Sequence, residues 1–182
     1  MLAKNTSYTS RFGNNVMDVY AKRAGGPQPL VIYAHGGYYV GSDKRDAASY
    51  CKKASASLGY VVANVNYRLV PEGRYPTQLL QLNEAAAFLL ARAKEYGIDP
   101  GRVFFGGDSA GGHLASQLGL YYTKPRVSRA HRRRARCDAR AAGGVILHCG
   151  YYNMDTLRAT KFPMIADSIQ VVTGKEAVRG HR

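Results

Sequence analysis

The residue with the strongest claim to chemistry is Ser109, set in Gly107-Asp108-Ser109-Ala110-Gly111. It follows the apolar run Val103-Phe104-Phe105 and opens a helical pattern that extends to about Tyr122. A G-x-S-x-G pentapeptide alone says little, but a strand before it and a helix after it describe a nucleophile elbow. Glycine is required there because the bend is tight, and side chains at those places would collide with the adjoining strand and helix. The alternative reading is a serine at an ordinary glycine-rich turn.

A serine hydroxyl is a weak nucleophile near neutral pH, so attack also needs donors for the oxyanion and a base for the proton. The donors are legible. His35-Gly36-Gly37-Tyr38 closes an earlier apolar run, Leu30-Val31-Ile32-Tyr33-Ala34. Its backbone N–H groups, at Gly36, Gly37 or Tyr38, can join that of Ala110 in an oxyanion hole. Tyr38 stands where a third glycine is common, yet only proline lacks the N–H, so the donor survives. Gly36 and Gly37 could also form a simple tight turn.

Three segments in order, His35-Gly36-Gly37, Tyr67-Arg68-Leu69-Val70-Pro71-Glu72 and Gly107-Asp108-Ser109-Ala110-Gly111-Gly112, resemble the hormone-sensitive-lipase-like branch of the α/β-hydrolases. The resemblance covers about residues 16–123. It implies hydrolysis of small-molecule carboxylic esters with short to medium acyl chains, through an acyl-enzyme on Ser109. It also implies that His35 shapes the oxyanion loop, that Arg68 and Glu72 support the site, and that Asp108 buttresses the elbow. No metal or organic cofactor is implied. The aromatic Tyr38 also resembles the loop of kynurenine-formamidase-like hydrolases, which leaves amide or formamide cleavage open.

The acid and base are harder to place. In this fold they follow the serine in the order Asp or Glu, then His, on loops after later strands. Beyond Ser109 the sequence offers one further strand, Val145-Ile146-Leu147, ending at His148-Cys149, and no strand is evident from Asp155 to Arg182. Asp155 with His181 has the right order, but His181 is penultimate, where chains are seldom ordered. His148 is expected at the end of a strand beside the one carrying Ser109, although location alone does not make a base. His113, four residues past Ser109, reads as a packed histidine. The triad acid and base are therefore unassigned, and a catalytically silent fragment is the rival to an active esterase.

The elements that must hold these residues alternate between short apolar runs and helical patterns, the mark of a parallel sheet covered on both faces. Val16 to Tyr20 reads as an edge strand and Tyr60 to Val65 as an inner one. Between Leu30–Ala34 and the latter, Asp43 can cap a helix that places Ala47, Tyr50, Cys51, Ala54 and Leu58 on one face and stops at Gly59. A long helix is predicted from Gln78 to Tyr96, with Thr77 as cap and Gly97 as stop, and Asp99-Pro100-Gly101 as the turn before the Ser109 strand. The expected fold is α/β, a mostly parallel sheet with helices on both faces and its last strands lacking. Residues 1–125 would form the N-terminal part of the hydrolase domain, 126–142 a basic segment and 143–182 a partial continuation.

Composition narrows the classes further. A chain of 182 residues, 46% hydrophobic with 20 Gly and no Trp, suits one globular domain and argues against disorder as the main state. No apolar run is long enough to cross a bilayer and the first residues are polar, which predicts a cytoplasmic protein. Cys51, Cys137 and Cys149 are widely spaced and read as free thiols.

The net charge of +14 is concentrated: Lys124 to Arg140 holds eight basic residues against one acid. This stretch reads as a solvated insertion, as sequence in a shifted reading frame, or as a polyanion-binding module. It lacks the interleaved aromatics that stack on single strands, which argues against nucleic acid as partner. An unpaired run of like charge is expected to be disordered. With its neighbours lacking, the strand at Val145 to Leu147 would expose an edge open to self-association.

Overall fold

The computed structural model describes residues 2–22, 25–124, 141–160 and 170. The basic segment expected at 126–142 falls almost wholly outside these, as do Cys137 and His181.

Six strands form one sheet in the order β1-β2-β4-β3-β5-β6. They are β1 (Ala3–Ser7), β2 (Val16–Tyr20), β3 (Gln28–Ala34), β4 (Val61–Val65), β5 (Ile98–Asp108) and β6 (Ala142–His148). The pairs β3/β4, β3/β5 and β5/β6 are parallel, while β1/β2 and β2/β4 are antiparallel. The sheet is thus mostly parallel, as the alternating pattern predicts. β3 and β4 are buried at every position. That explains why they read as continuous apolar runs: helices cover both faces of a central parallel strand.

One face carries α1 (Lys44–Leu58), which packs Ala47 and Cys51 against Tyr20, Val31, Tyr33 and Val62. The other carries α2 (Thr77–Leu90), α3 (Ala93–Tyr96) and α4 (Ala110–Thr123) over Leu30, Ile32, Val103 and Phe105. α1 begins at Asp43, whose carboxylate accepts the Arg45 N–H in a capping box closed by Asp46, and ends at Gly59 with φ 69°. A buried ion pair fixes its start to the sheet, with Lys44 Nζ 2.9 Å from Asp18 Oδ1.

Three expectations need correction. Val16–Tyr20 is not at the edge, because β1 pairs outside it with a register shift between Ala3 and Thr6. The helix expected over Gln78–Tyr96 is two helices, broken at Ala91 and Arg92, where the Arg92 guanidinium folds back 3.9 Å over the Phe88 ring. Asp99-Pro100-Gly101 lies inside β5 rather than before it. Asp99 Oδ1 accepts the Gly101 N–H at 2.9 Å there, and the register against β3 shifts between Gln28 and Leu30. The Asp99 side chain does bond two residues on, but the segment is an irregularity within one long strand and not the turn expected.

Among the described residues no helix is long and apolar enough to cross a membrane, and no group of three or more His, Cys, Asp or Glu could hold a metal ion. Cys51 is buried and Cys149 exposed, both as free thiols.

Candidate active site

β5 ends at Asp108 and α4 starts at Ala110, so Ser109 alone makes the turn, with φ 51° and ψ −116°. A non-glycine residue held there costs about 1–3 kcal/mol, which the surroundings must offset. They do so by close packing. A Cβ on Gly111 would lie 2.0 Å from the Ala34 carbonyl oxygen, and one on Gly107 would lie 2.4 Å from Gly111. The Ser109 N–H donates to the His148 carbonyl at 2.8 Å, which ties the elbow to the end of β6.

The loop after β3 abuts this elbow. A Cβ on Gly36 would sit 3.2 Å from Ser109 Cβ and 2.5 Å from Asp108 Oδ2, so a side chain there would have to displace the Asp108 carboxylate. Gly37 has φ 104° and turns the chain so closely that its own Cβ would meet the Gly41 oxygen at 2.2 Å. Its carbonyl accepts the N–H groups of Val40 and Gly41, both at 3.0 Å. The N–H groups of Gly37, Tyr38 and Ala110 meet no acceptor among the described residues. The structure therefore brings Ser109, the glycine loop and the start of α4 together.

His35 lies under this loop and is buried. Its ring stacks on Tyr67 at 4.4 Å, Nδ1 meets the Gly36 carbonyl at 2.8 Å, and Nε2 has no partner among the described residues. Burial pushes the imidazole pKa down, so the ring is neutral. The Tyr67 hydroxyl donates to the His35 carbonyl at 2.7 Å, adding a second tie to the same bend. On the other side, the Tyr33 hydroxyl donates to Asp108 Oδ1 at 3.3 Å.

The remaining candidates are dispersed. His148 gives its carbonyl to Ser109 but turns its ring toward α1, where Nε2 is 3.1 Å from the Tyr50 hydroxyl. Asp108, His148 and Tyr50 help line a cavity of about 390 Å³ beside the glycine loop. His113 bonds Tyr39 and faces the Tyr75 ring, and burial lowers its pKa to about 4. Asp155 falls in α5 (Met154–Ala159), with its side chain outside the description.

Glu72 is exposed on its turn. Arg68 lies across Gly13, where a Cβ would come within 2.1 Å of Nη1, and its backbone is held by Gln78 and Gln81. Among the described residues, Ser109 Oγ has no imidazole partner.

Its partner is one that sequence reasoning missed. The Tyr151 hydroxyl is 3.5 Å from Ser109 Oγ, and its ring lies 6.2 Å from that of Tyr38. Nothing in the spacing of the Tyr151-Tyr152 pair marks one of them as facing a serine 42 residues earlier.

The similarities to known proteins agree with this geometry. A curated relative, the probable carboxylic ester hydrolase LipM of Mycobacterium tuberculosis, is 28% identical over 151 residues, which are 83% of this chain and 34% of LipM. Neutral cholesterol ester hydrolase 1 of Mus musculus is 36% identical over 54% of the chain and 27% of its own length. Among solved structures, an inhibited esterase B from Lactobacillus rhamnosis superposes with a TM-score of 0.82 at 25% identity. It covers 96% of this chain and 57% of its own.

A bacterial heroin esterase gives 0.76 at 26% identity, over 96% and 55%. The chain thus spans about a third of the curated relatives it matches and just over half of these structures. The BD-FAE family pattern matches residues 17–172. The elbow at Ser109, the glycine loop facing it and a match over most of the chain identify the protein as a member of the BD-FAE family, with the α/β-hydrolase fold of hormone-sensitive-lipase-like esterases.

Proposed function

We propose that the protein is a serine hydrolase of carboxylic esters, with Ser109 as the nucleophile. The observation that carries this is the contact between elbow and loop, with Gly36 so near Ser109 that a Cβ there would lie 3.2 Å from the serine Cβ. Ser109 Oγ attacks the acyl carbon. The carbonyl oxygen, now an anion, is received by the N–H groups of Ala110 and of Gly36, Gly37 or Tyr38. Two or three fixed amides of this kind stabilise the oxyanion without reorganising as charge develops.

The base returns the serine proton to the alkoxy oxygen as the carbon–oxygen bond breaks and the alcohol leaves. Water then attacks the acyl-enzyme, giving a proton through the same base back to Ser109 Oγ as the acid is released. In this reading the base that takes the serine proton lies outside the described residues. The names of the relatives, a carboxylic ester hydrolase and an ester hydrolase, support the ester class.

A second reading is a catalytically silent fragment, favoured by the phenol rather than imidazole beside Ser109 Oγ. The test is p-nitrophenyl butyrate hydrolysis by the purified chain, compared with formanilide. We expect a burst of nitrophenol that is lost in Ser109→Ala and larger than any anilide cleavage. An equal rate in Ser109→Ala would exclude the proposal, and a folded chain that gives neither a burst nor steady-state hydrolysis would establish the silent reading.

A further inference from the structure

We infer that Tyr151 is a catalytic residue, whose hydroxyl donates a hydrogen bond to the leaving-group oxygen of the ester while the acyl carbon is bonded to Ser109. This inference rests on the esterase reading above.

The geometry assigns the two ester oxygens to different donors. The carbonyl oxygen belongs to the loop and helix amides. The alkoxy oxygen is attached to the same carbon that Ser109 Oγ attacks, so a donor beside Oγ is the one it meets. Tyr151 is the hydroxyl in that place: it accepts from Ser109 Oγ at 3.5 Å in the free site, and its own proton is available to the ester oxygen once Oγ has lost its hydrogen. This separation is too long for a strong bond to the resting serine, and the phenol, which also hydrogen-bonds the Tyr38 side chain, can exchange the weak serine contact for an incoming oxygen.

The ring is also held in place. It stands 6.2 Å from Tyr38, a residue of the oxyanion loop itself. The next residue along is anchored too: the Tyr152 hydroxyl accepts the Gly150 N–H at 2.9 Å and sits over Gly112 of α4, where a Cβ would approach it to 3.1 Å. Cys149, with φ 42°, makes the bend that sends the chain from β6 back over the elbow. Burial raises the phenol pKa, so the group is a protonated donor throughout the neutral range. The phenol keeps its proton, and its contribution is stabilisation of charge on oxygen as the carbon–oxygen bond lengthens.

A hydrogen bond to the leaving oxygen matters most when that oxygen holds its charge unaided. Alkoxides do so, whereas nitrophenolate spreads the charge into its ring. The test compares the full chain with Tyr151→Phe on butyrate esters of ethanol, trifluoroethanol, phenol and p-nitrophenol. We expect kcat/KM to fall ~10-fold or more for the ethyl ester and less than ~2-fold for the nitrophenyl ester, in the range of a single donor lost from a reaction centre.

The comparison is a ratio within each variant, so a change in the amount of folded protein cancels. An equal loss across the four esters, or none, would overturn the role of Tyr151 and leave the esterase reading intact. A wild-type chain that cleaves none of them would overturn both.

Discussion

At the residue scale the site is built from glycines that cannot be anything else and from one serine held in a conformation that serine avoids. Ser109, Gly36, Gly37 and Ala110 were legible because a strained bend and a close backbone approach restrict residue type, and restriction leaves a mark in the sequence. Tyr151 and the Tyr39–His113 pair were not legible. Phenol and imidazole are tolerated in many surroundings, and their partners lie 42 and 74 residues away.

His113 makes its own prediction. Its folded pKa is about 4, against about 6.5 in an unfolded chain, and His35 is shifted in the same direction. Above pH 6.5 both states are neutral and the fold loses nothing. As pH falls from 6.5 toward 4 the unfolded chain takes up protons that the folded chain refuses, so stability declines. Urea unfolding at pH 7 and pH 5 is expected to show a smaller drop in His113→Asn than in the wild type. Equal drops would mean that His113 is not buried as described.

At the element scale the central strands announced themselves through unbroken apolar runs, and α1 through Asp43 and Gly59. β1 did not, because Ala3–Ser7 is polar and half exposed. An edge strand needs only one partner and no apolar face of its own. The break between α2 and α3 was equally silent, since the apolar spacing runs on through it without glycine or proline.

α1 is tied to the sheet by an ion pair at its first turn. Lys44 and Asp18 have side chains only 7% and 6% exposed, and Lys44 Nζ also donates to Asn5 Oδ1 at 2.8 Å. Burial would raise the Asp18 pKa, but the Asn5 N–H and the Lys44 ammonium outweigh it and hold the carboxyl below its usual range. Replacing Lys44 by Met strands that carboxylate, and we expect a loss of about 3–5 kcal/mol. Denaturant unfolding of Lys44→Met beside the double variant Lys44→Met, Asp18→Leu measures it. The double variant should recover much of the loss, and a harmless single substitution would refute the pairing.

At the scale of the whole molecule the sheet has two edges among the described residues, the polar strand β1 and the more apolar β6. Val145 and Leu147 are 41% and 38% exposed there, far more than apolar residues of β3 or β4. An exposed apolar edge is a template for pairing with another chain. Light scattering of the purified protein at high concentration is expected to show oligomers that diminish in Leu147→Lys. A monomeric wild type would remove this expectation. The alternation of strands and helices made the parallel architecture readable, while the partners of the β6 edge and the triad acid and base were not, because nothing in residues 149–182 carries a comparable pattern.

The account stands on Ser109 as an activated nucleophile, and labelling tests that most directly. The intact chain is treated with a tagged fluorophosphonate, digested, and the modified peptide sequenced by mass spectrometry. We expect one adduct per chain, on Ser109, that is absent from Ser109→Ala. A chain that is folded yet unlabelled, or one whose label persists in Ser109→Ala, would contradict it.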